Sequence, residues 1–324
     1  MPPLLSRRQA LLATALACTS WPTAQAQDYP AKPIQLIVPF HPNGSTTVVM
    51  RHLAPLLSAR LGQQVVVINK PGGGGSIGMA QVAQAAPDGH TLGVLTLGIV
   101  AQAGLQMGRQ PYHVQSFAPV GLVARTPLVL TVNPALGIHS LQELLERARA
   151  QPGALNYGSA GIGSSGHLGM ALLESAAQIR MTHIPFNTVG SGTSVASGEV
   201  QLQLGPIPSS LPLIQGGRMR PLGVSGQQPV AALPGGQPLS TQGLPGFEAY
   251  DWSGIVAPSG TAPAIVHKLA LVLEQALQDA ALRSRIAQSG AEVLGSGSAH
   301  FATFLAQEMQ TWTRLAPRLQ AAAP

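Results

Sequence analysis

The chain has 324 residues, of which 9% are charged and 45% hydrophobic, against about 25% charged in an average soluble domain. That balance excludes a charge-driven disordered chain, and no Gly-X-Y period or heptad series supports a fibrous one. The net charge of +6 includes Arg7 and Arg8 near the N-terminus, and the other bases are scattered without interleaved aromatics, so nucleic acid is not an expected partner. A mean hydropathy of +0.22 does not imply a membrane span, because past the N-terminus no apolar run reaches the about 20 residues required.

Residues 1–26 read as an export signal: Arg7 and Arg8, an apolar stretch from Ala10 to Ala17, then Ala24-Gln25-Ala26 as a small-x-small cleavage site. Ser6-Arg7-Arg8 resembles an incomplete twin-arginine start, and Cys18 is a weaker alternative as a lipid anchor. Cys18 is the only cysteine, so cleavage at Ala26 leaves no thiol for disulfides, nucleophilic catalysis or thiolate metal sites.

Short apolar strands then alternate with amphipathic helices. Strands are predicted at Ile34–Val38, Gln64–Ile68 and Thr91–Thr96, with helices at Ser45–Arg60, kinked at Pro55, and Ser76–Ala86. Strands follow near Val120–Val123 and Leu128–Val132, and Ser140-Leu141-Gln142-Glu143 is a capping box opening a helix to about Ala150. A short strand before Tyr157, a helix from Ser165 to Ser175, strands at His183–Pro185 and Val200–Leu204, a helix at Pro208–Gln215 and a strand at Leu222–Ser225 continue the alternation. The last third holds helices at Ala262–Ala276, Ala280–Gln288 and Ala299–Arg318. Strands that are apolar throughout predict an α/β fold with parallel sheets covered on both faces.

Three strand-to-helix loops carry the polar chemistry. The first, Phe40 to Thr46, holds His41, Asn43, Gly44, Ser45 and Thr46; helix N–H groups beside hydroxyls suit an anion, and an ordinary serine-capped turn is the plain alternative. The second, Asn69 to Gly78, contains Gly73, Gly74 and Gly75. Its match to a dinucleotide fingerprint fails for want of an acid at the end of the next strand, so a backbone cradle for a small anion fits better. The third, Ser159 to Leu168, offers Ser164, Ser165 and His167. Ser165 with His167 leaves a secreted serine hydrolase open, although Ser165 does not lie in a G-x-S-x-G. No H-x-x-x-H or H-E-x-x-H spacing occurs, so no metal or other cofactor is expected. Loops rich in Gly, Ser and Thr, without paired acids, describe a receptor for a small anion better than an enzyme.

In combination, Tyr29-Pro30-Ala31-Lys32-Pro33-Ile34, Val38-Pro39-Phe40, Asn69-Lys70-Pro71-Gly72, Ala86-Pro87-Asp88-Gly89-His90-Thr91-Leu92, Leu155-Asn156-Tyr157-Gly158-Ser159-Ala160-Gly161 and Trp252-Ser253-Gly254-Ile255-Val256-Ala257-Pro258 resemble the periplasmic solute receptors of tripartite tricarboxylate transporters, the Bug family. The resemblance spans essentially the whole chain. It implies the two-lobed type II periplasmic-binding-protein fold, with a ligand cleft between lobes: lobe 1 from 27–124 and 224–324, lobe 2 from 125–223. It also implies a periplasmic monomer that passes a small organic acid to membrane permease subunits, or to a sensor. The first two loops would line one side of the cleft, with the third loop and Asn187 on the other. Acids usual in the family are replaced by Thr47, Gln201 and Gly205, and its Tyr-Lys-Gly by Phe186-Asn187-Thr188. Their loss predicts a ligand with no ammonium group to neutralise.

Overall fold

The computed structural model describes residues 29–42, 44–105, 111–186, 191–230, 233, 235–288 and 290–321. The export signal, Cys18, Asn43 and Asn187 lie outside these residues.

The first sheet is built on β1 (Ile34–Val38), which pairs in parallel with β2 (Val65–Asn69) on one side and β3 (Thr91–Thr96) on the other. β3 is joined antiparallel to β9 (Tyr250–Pro258), and β9 antiparallel to the first part of β4 (Phe117–Val132). β10 (Glu292–Ser296) closes the far edge of β4, again antiparallel. The remainder of β4, Leu128 to Val132, enters a second sheet between β7 (Leu202–Pro206) and β8 (Arg220–Val224), both antiparallel to it. Parallel pairs of β5 (Asn156–Ser159) with β7 and with β6 (Thr182–Pro185) complete that sheet.

The expectation of parallel sheets is therefore corrected to mixed ones. β4 carries the chain out of the first sheet and β9 runs back beside it, so the two must be antiparallel. An unbroken apolar pattern reports that both faces are covered, not which way the neighbour runs. The two strands predicted near Val120–Val123 and Leu128–Val132 are likewise one 16-residue strand. Pro119 lies at a register shift against β9, and Pro127 sits where β4 changes ladders, so neither proline interrupts a continuous ladder.

Helices cover both sheets on both faces. In the first half, α1 (Ser45–Leu61) and α8 (Pro263–Leu277) bury Met50, Leu53, Leu269 and Leu273 against one face. α2 (Ser76–Ala83), α3 (Leu97–Gly104) and α10 (Ser298–Ala321) bury Met79, Val100, Phe301 and Trp312 against the other. In the second half, α4 (Leu141–Ala150) and α5 (Ser165–Ala177) cover one face, while α6 (Ser191–Ser197) and α7 (Ile207–Gln215) cover the other. Each fully buried Leu or Met contributes about 1.5–3 kcal/mol of transfer free energy. α9 (Ala280–Gln288) packs on the first core through Leu282 and Ile286. α1 continues through Pro55 and ends at Gly62, whose φ of 68° suits a left-handed cap.

Between β8 and β9, Leu239, Leu244, Phe247 and Ala249 join the second core. Ser225 stitches the junction. Its backbone N–H donates to Leu128 O, its carbonyl accepts from Ala249 N–H, and its hydroxyl accepts from Leu128 N–H and donates to Ala249 O.

Candidate functional site

The β1–α1 loop is shaped from within. Gly44 N–H donates to His41 O at 3.0 Å, and Thr47, fully buried in the first turn of α1, donates its hydroxyl to the same carbonyl at 2.9 Å. Asn69, the last residue of β2, donates to Phe40 O at 2.8 Å and to Thr47 Oγ1 at 2.9 Å. This ties the first loop to the start of the second. Thr47 therefore braces the loop. The N-cap residue of α1 is Gly44, which has no side chain to cap with, and the first turn holds no acid, so among the described residues no side chain caps its leading N–H groups. The His41 ring is exposed.

Four successive glycines make the second loop. Gly72, Gly73, Gly74 and Gly75 have φ of 127°, 57°, 64° and 101°, a region L side chains rarely adopt. A Cβ on Gly74 would fall 2.5 Å from Gln102 Nε2, and that amide donates to Gly74 O at 3.3 Å. Gln102, on α3, also packs on the third loop: a Cβ on Gly163 would lie 2.6 Å from its Cγ. Gly98, one turn earlier on α3, meets the Gly163 carbonyl so closely that a Cβ there would be 2.9 Å away. α3 thus joins two of the expected loops. It went unpredicted because Leu97-Gly98-Ile99-Val100-Ala101 follows β3 without a turn signal and reads as more strand.

In the third loop Ser164 caps α5, accepting from His167 N–H at 3.4 Å, and Ser165 is a buried first-turn residue. His167 Nδ1 accepts the Gly163 N–H at 3.1 Å, so that nitrogen is an acceptor and the ring is neutral. Burial holds its pKa below the usual range. Ser159, behind the loop, donates to Gly161 O and lies 2.6 Å from His183 Nε2. With its Nδ1 engaged by backbone, His167 is part of the loop's scaffold, which weakens the hydrolase alternative.

Ser45 and Thr46 line a pocket with Val49 of α1, Ala124 and Thr126 of β4, and Asp251, Trp252 and Ser253 of β9. It holds about 250 Å³ of unfilled space, but only about 10 Å³ is wide enough for water, roughly one molecule. Asp251 is the one charged residue in that lining and was missed from sequence, because nothing local marks an acid at the start of a strand as facing a cleft. Burial pushes its carboxyl up to about 7, against the lowering effect of the Trp252 N–H that it accepts. Thr47, Gln201 and Gly205, where family acids are replaced, do not line this pocket. Gln201 instead accepts from Asn156 N–H at 2.9 Å, and Gly205 lies in β7 opposite Val129. Among the described residues no group of three or more His, Cys, Asp or Glu could hold a metal, and no helix is long and apolar enough to cross a membrane.

Residues 49–320 match the tripartite tricarboxylate transporter family receptor. BugT of Bordetella pertussis is 36% identical over 292 residues, covering 89% of each chain. Among solved structures, Rpa4515 of R. palustris with adipate superposes with a TM-score of 0.83 at 30% identity, covering 90% of this chain and 99% of that one. MatC of Rhodopseudomonas palustris with bound malate gives 0.80 at 28% identity, covering 89% and 100%. The uncapped helix start, the glycine cradle and the facing third loop are thus set in the architecture of periplasmic solute receptors, and this chain belongs to the tripartite tricarboxylate transporter receptor family, the Bug proteins.

Proposed function

We propose that the protein is a periplasmic solute receptor that captures a small organic carboxylate and delivers it to the membrane subunits of a tripartite transporter. The observation that carries this reading is α3 drawing the Gly72–Gly75 cradle and the Gly161–His167 loop together through Gln102 and Gly98. On this reading the hydroxyls and the remaining N–H groups of both halves would face one anion site. The carboxylates bound to the two R. palustris receptors support the ligand class. The binding residues are Ser45, Thr46, Gly73, Gly74, Gly75, Ser164 and Ser165, with His41, Gly44 and His167 shaping the loops. Asn43 and Asn187 stay in the proposal on sequence grounds alone.

We further propose that the first crossing between lobes lies near Pro127 rather than Ala124, and the second near Ala249 rather than Val224; the change of ladders in β4 and the last residues of the second core support this. Residues 225–249 are thereby assigned to lobe 2. Export by a signal peptide cleaved after Ala26, a monomeric state and the absence of catalysis complete the reading. Calorimetry with a panel of small carboxylates, adipate, malate and amino acids among them, tests it. Saturable one-to-one binding without turnover is expected, and its absence across the panel overturns the reading. Ester hydrolysis that disappears in Ser165→Ala would favour the hydrolase.

A further inference from the structure

The pocket at the start of α1 presents two opposite chemistries side by side. One is the uncapped helix N-terminus, whose leading N–H groups, aided by the helix dipole and the Ser45 and Thr46 hydroxyls, attract an anion. The other is Asp251, in register with Thr126 where β4 and β9 cross between the two sheets. Among the described residues no cation forms an ion pair with Asp251. Arg125, the neighbouring base on β4, is turned away: its guanidinium lies 4.4 Å from the Tyr250 ring centroid and 2.8 Å from Glu292 Oε2. The other lining residues, Ser45, Thr46, Val49, Ala124, Thr126, Trp252 and Ser253, carry no charge.

A fully ionised dicarboxylate brought to the mouth of this pocket, which itself has room for about one water, sets like charge near Asp251, with no lysine or arginine in the lining to offset it. A ligand with a carboxylate and an ammonium group on neighbouring carbons answers both halves at once. Its carboxylate meets the start of α1 and its ammonium meets the Asp251 carboxylate. We propose that Asp251 is the specificity-determining residue of the cleft and that it selects amino acids over the same acids lacking the amino group. The proposal rests on the receptor reading above and departs from the expectation of an ammonium-free ligand, which was drawn from Thr47, Gln201 and Gly205 alone.

Matched pairs test it by calorimetry at about pH 8, where Asp251 is ionised: aspartate with succinate, glutamate with glutarate, leucine with 4-methylpentanoate, phenylalanine with 3-phenylpropanoate. The wild-type protein is expected to bind at least one amino acid about tenfold or more tightly than its desamino partner. Asp251→Asn, which keeps the shape and removes the charge, is expected to abolish that preference while leaving the desamino acid's affinity equal or higher. Asp251→Ser, checked with Asp251→Asn for a native melting transition, guards against a folding defect in one variant. Desamino acids binding as well as or better than their partners would overturn the role of Asp251 and leave the carboxylate receptor standing. Failure of both series to bind would overturn the receptor reading and this proposal with it. An amino-acid preference that survives in Asp251→Asn would assign selectivity elsewhere and also defeat the proposal.

Discussion

The imidazole of His167 stacks on that of His183, with ring centroids 4.2 Å apart and planes inclined by 25°. Tyr157 stacks on His183 as well, at 5.0 Å. Burial first, and proximity to His167 second, push His183 down to about 4, while burial lowers His167. An unfolded histidine titrates near 6.5, so on acidification the unfolded chain takes up protons before the folded one. The stacked pair's contribution is therefore complete above about pH 6.5 and is lost as the pH falls towards about 4. As the pH falls from about 6.5 to about 4, the wild type should lose more melting temperature than His183→Gln, a difference that isolates the histidine from Asp251, whose raised carboxyl pulls the other way. Parallel pH profiles for the variant and the wild type would reject this account.

Glu308 holds two tryptophans. Its Oε2 accepts from Trp252 Nε1 at 2.9 Å and from Trp312 Nε1 at 3.3 Å, and both indoles are only 4% exposed. The bonds fix α10 against β9, with Trp252 also edge-on to Phe301 and Phe304. Glu308→Ala leaves two buried indole N–H groups without an acceptor, and should cost about 2–4 kcal/mol in urea unfolding, with a red shift in tryptophan emission. Glu308→Gln retains an acceptor oxygen and should cost less than half as much.

The strand-to-helix alternation was legible because β1, β2, β3 and β7 are short apolar runs bounded by turn residues, and their positions held to within two residues. β9 was not identified as a strand although its Trp252–Pro258 segment carried the family resemblance. β10, short and half polar, was not identified at all. Residues 191–197 form α6 despite a Ser- and Gly-rich sequence, because Val195 is buried in the cluster of Val129, Ile207 and Ile214 on the other face of the second sheet and packing outweighs propensity. The capping box was half right. Ser140 Oγ accepts from Glu143 N–H, whereas Glu143 accepts from His139 N–H and not from Ser140. Of the site, the Gly and Ser loops announced themselves by composition and place. Gln102 and Asp251 did not, since their roles arise only when α3 meets Gly163 and β9 lies beside β4.

Asn69 is the tie between the first two loops, donating to Phe40 O and Thr47 Oγ1 while its Oδ1 faces Arg51 Nη2 at 3.4 Å. Asn69→Ala removes both donated bonds and should lower stability by about 1–3 kcal/mol. Thr47→Val removes the hydroxyl that joins Asn69 to His41 O, at a similar cost. Because the two side chains share one network, the double variant should cost clearly less than the sum, with a coupling of about 0.5–3 kcal/mol. Additive losses in chemical denaturation would mean that the loops are held independently.

The close approach of Gly98 to the Gly163 carbonyl depends on a single missing methyl group. The φ of Gly98 lies outside the left-handed region, so alanine suits its backbone, and as a helix former it should stabilise α3 by about 0.5–1 kcal/mol. The new Cβ would stand 2.9 Å from Gly163 O, backbone against backbone, with no flexible side chain to yield. The substitution therefore has two effects of opposite sign. The melting temperature of the free protein, in which this contact is already made, should fall, because the clash outweighs the gain in helix propensity. Bringing the third loop against α3 should become about 1–3 kcal/mol harder. In Gly98→Ala, carboxylate affinity measured by calorimetry should fall by about five- to a hundredfold. Small-angle scattering should show that ligand compacts the wild type more than the variant. An unchanged affinity would mean that this contact is not made in the bound state, and the closed cleft would have to be held by other pairs.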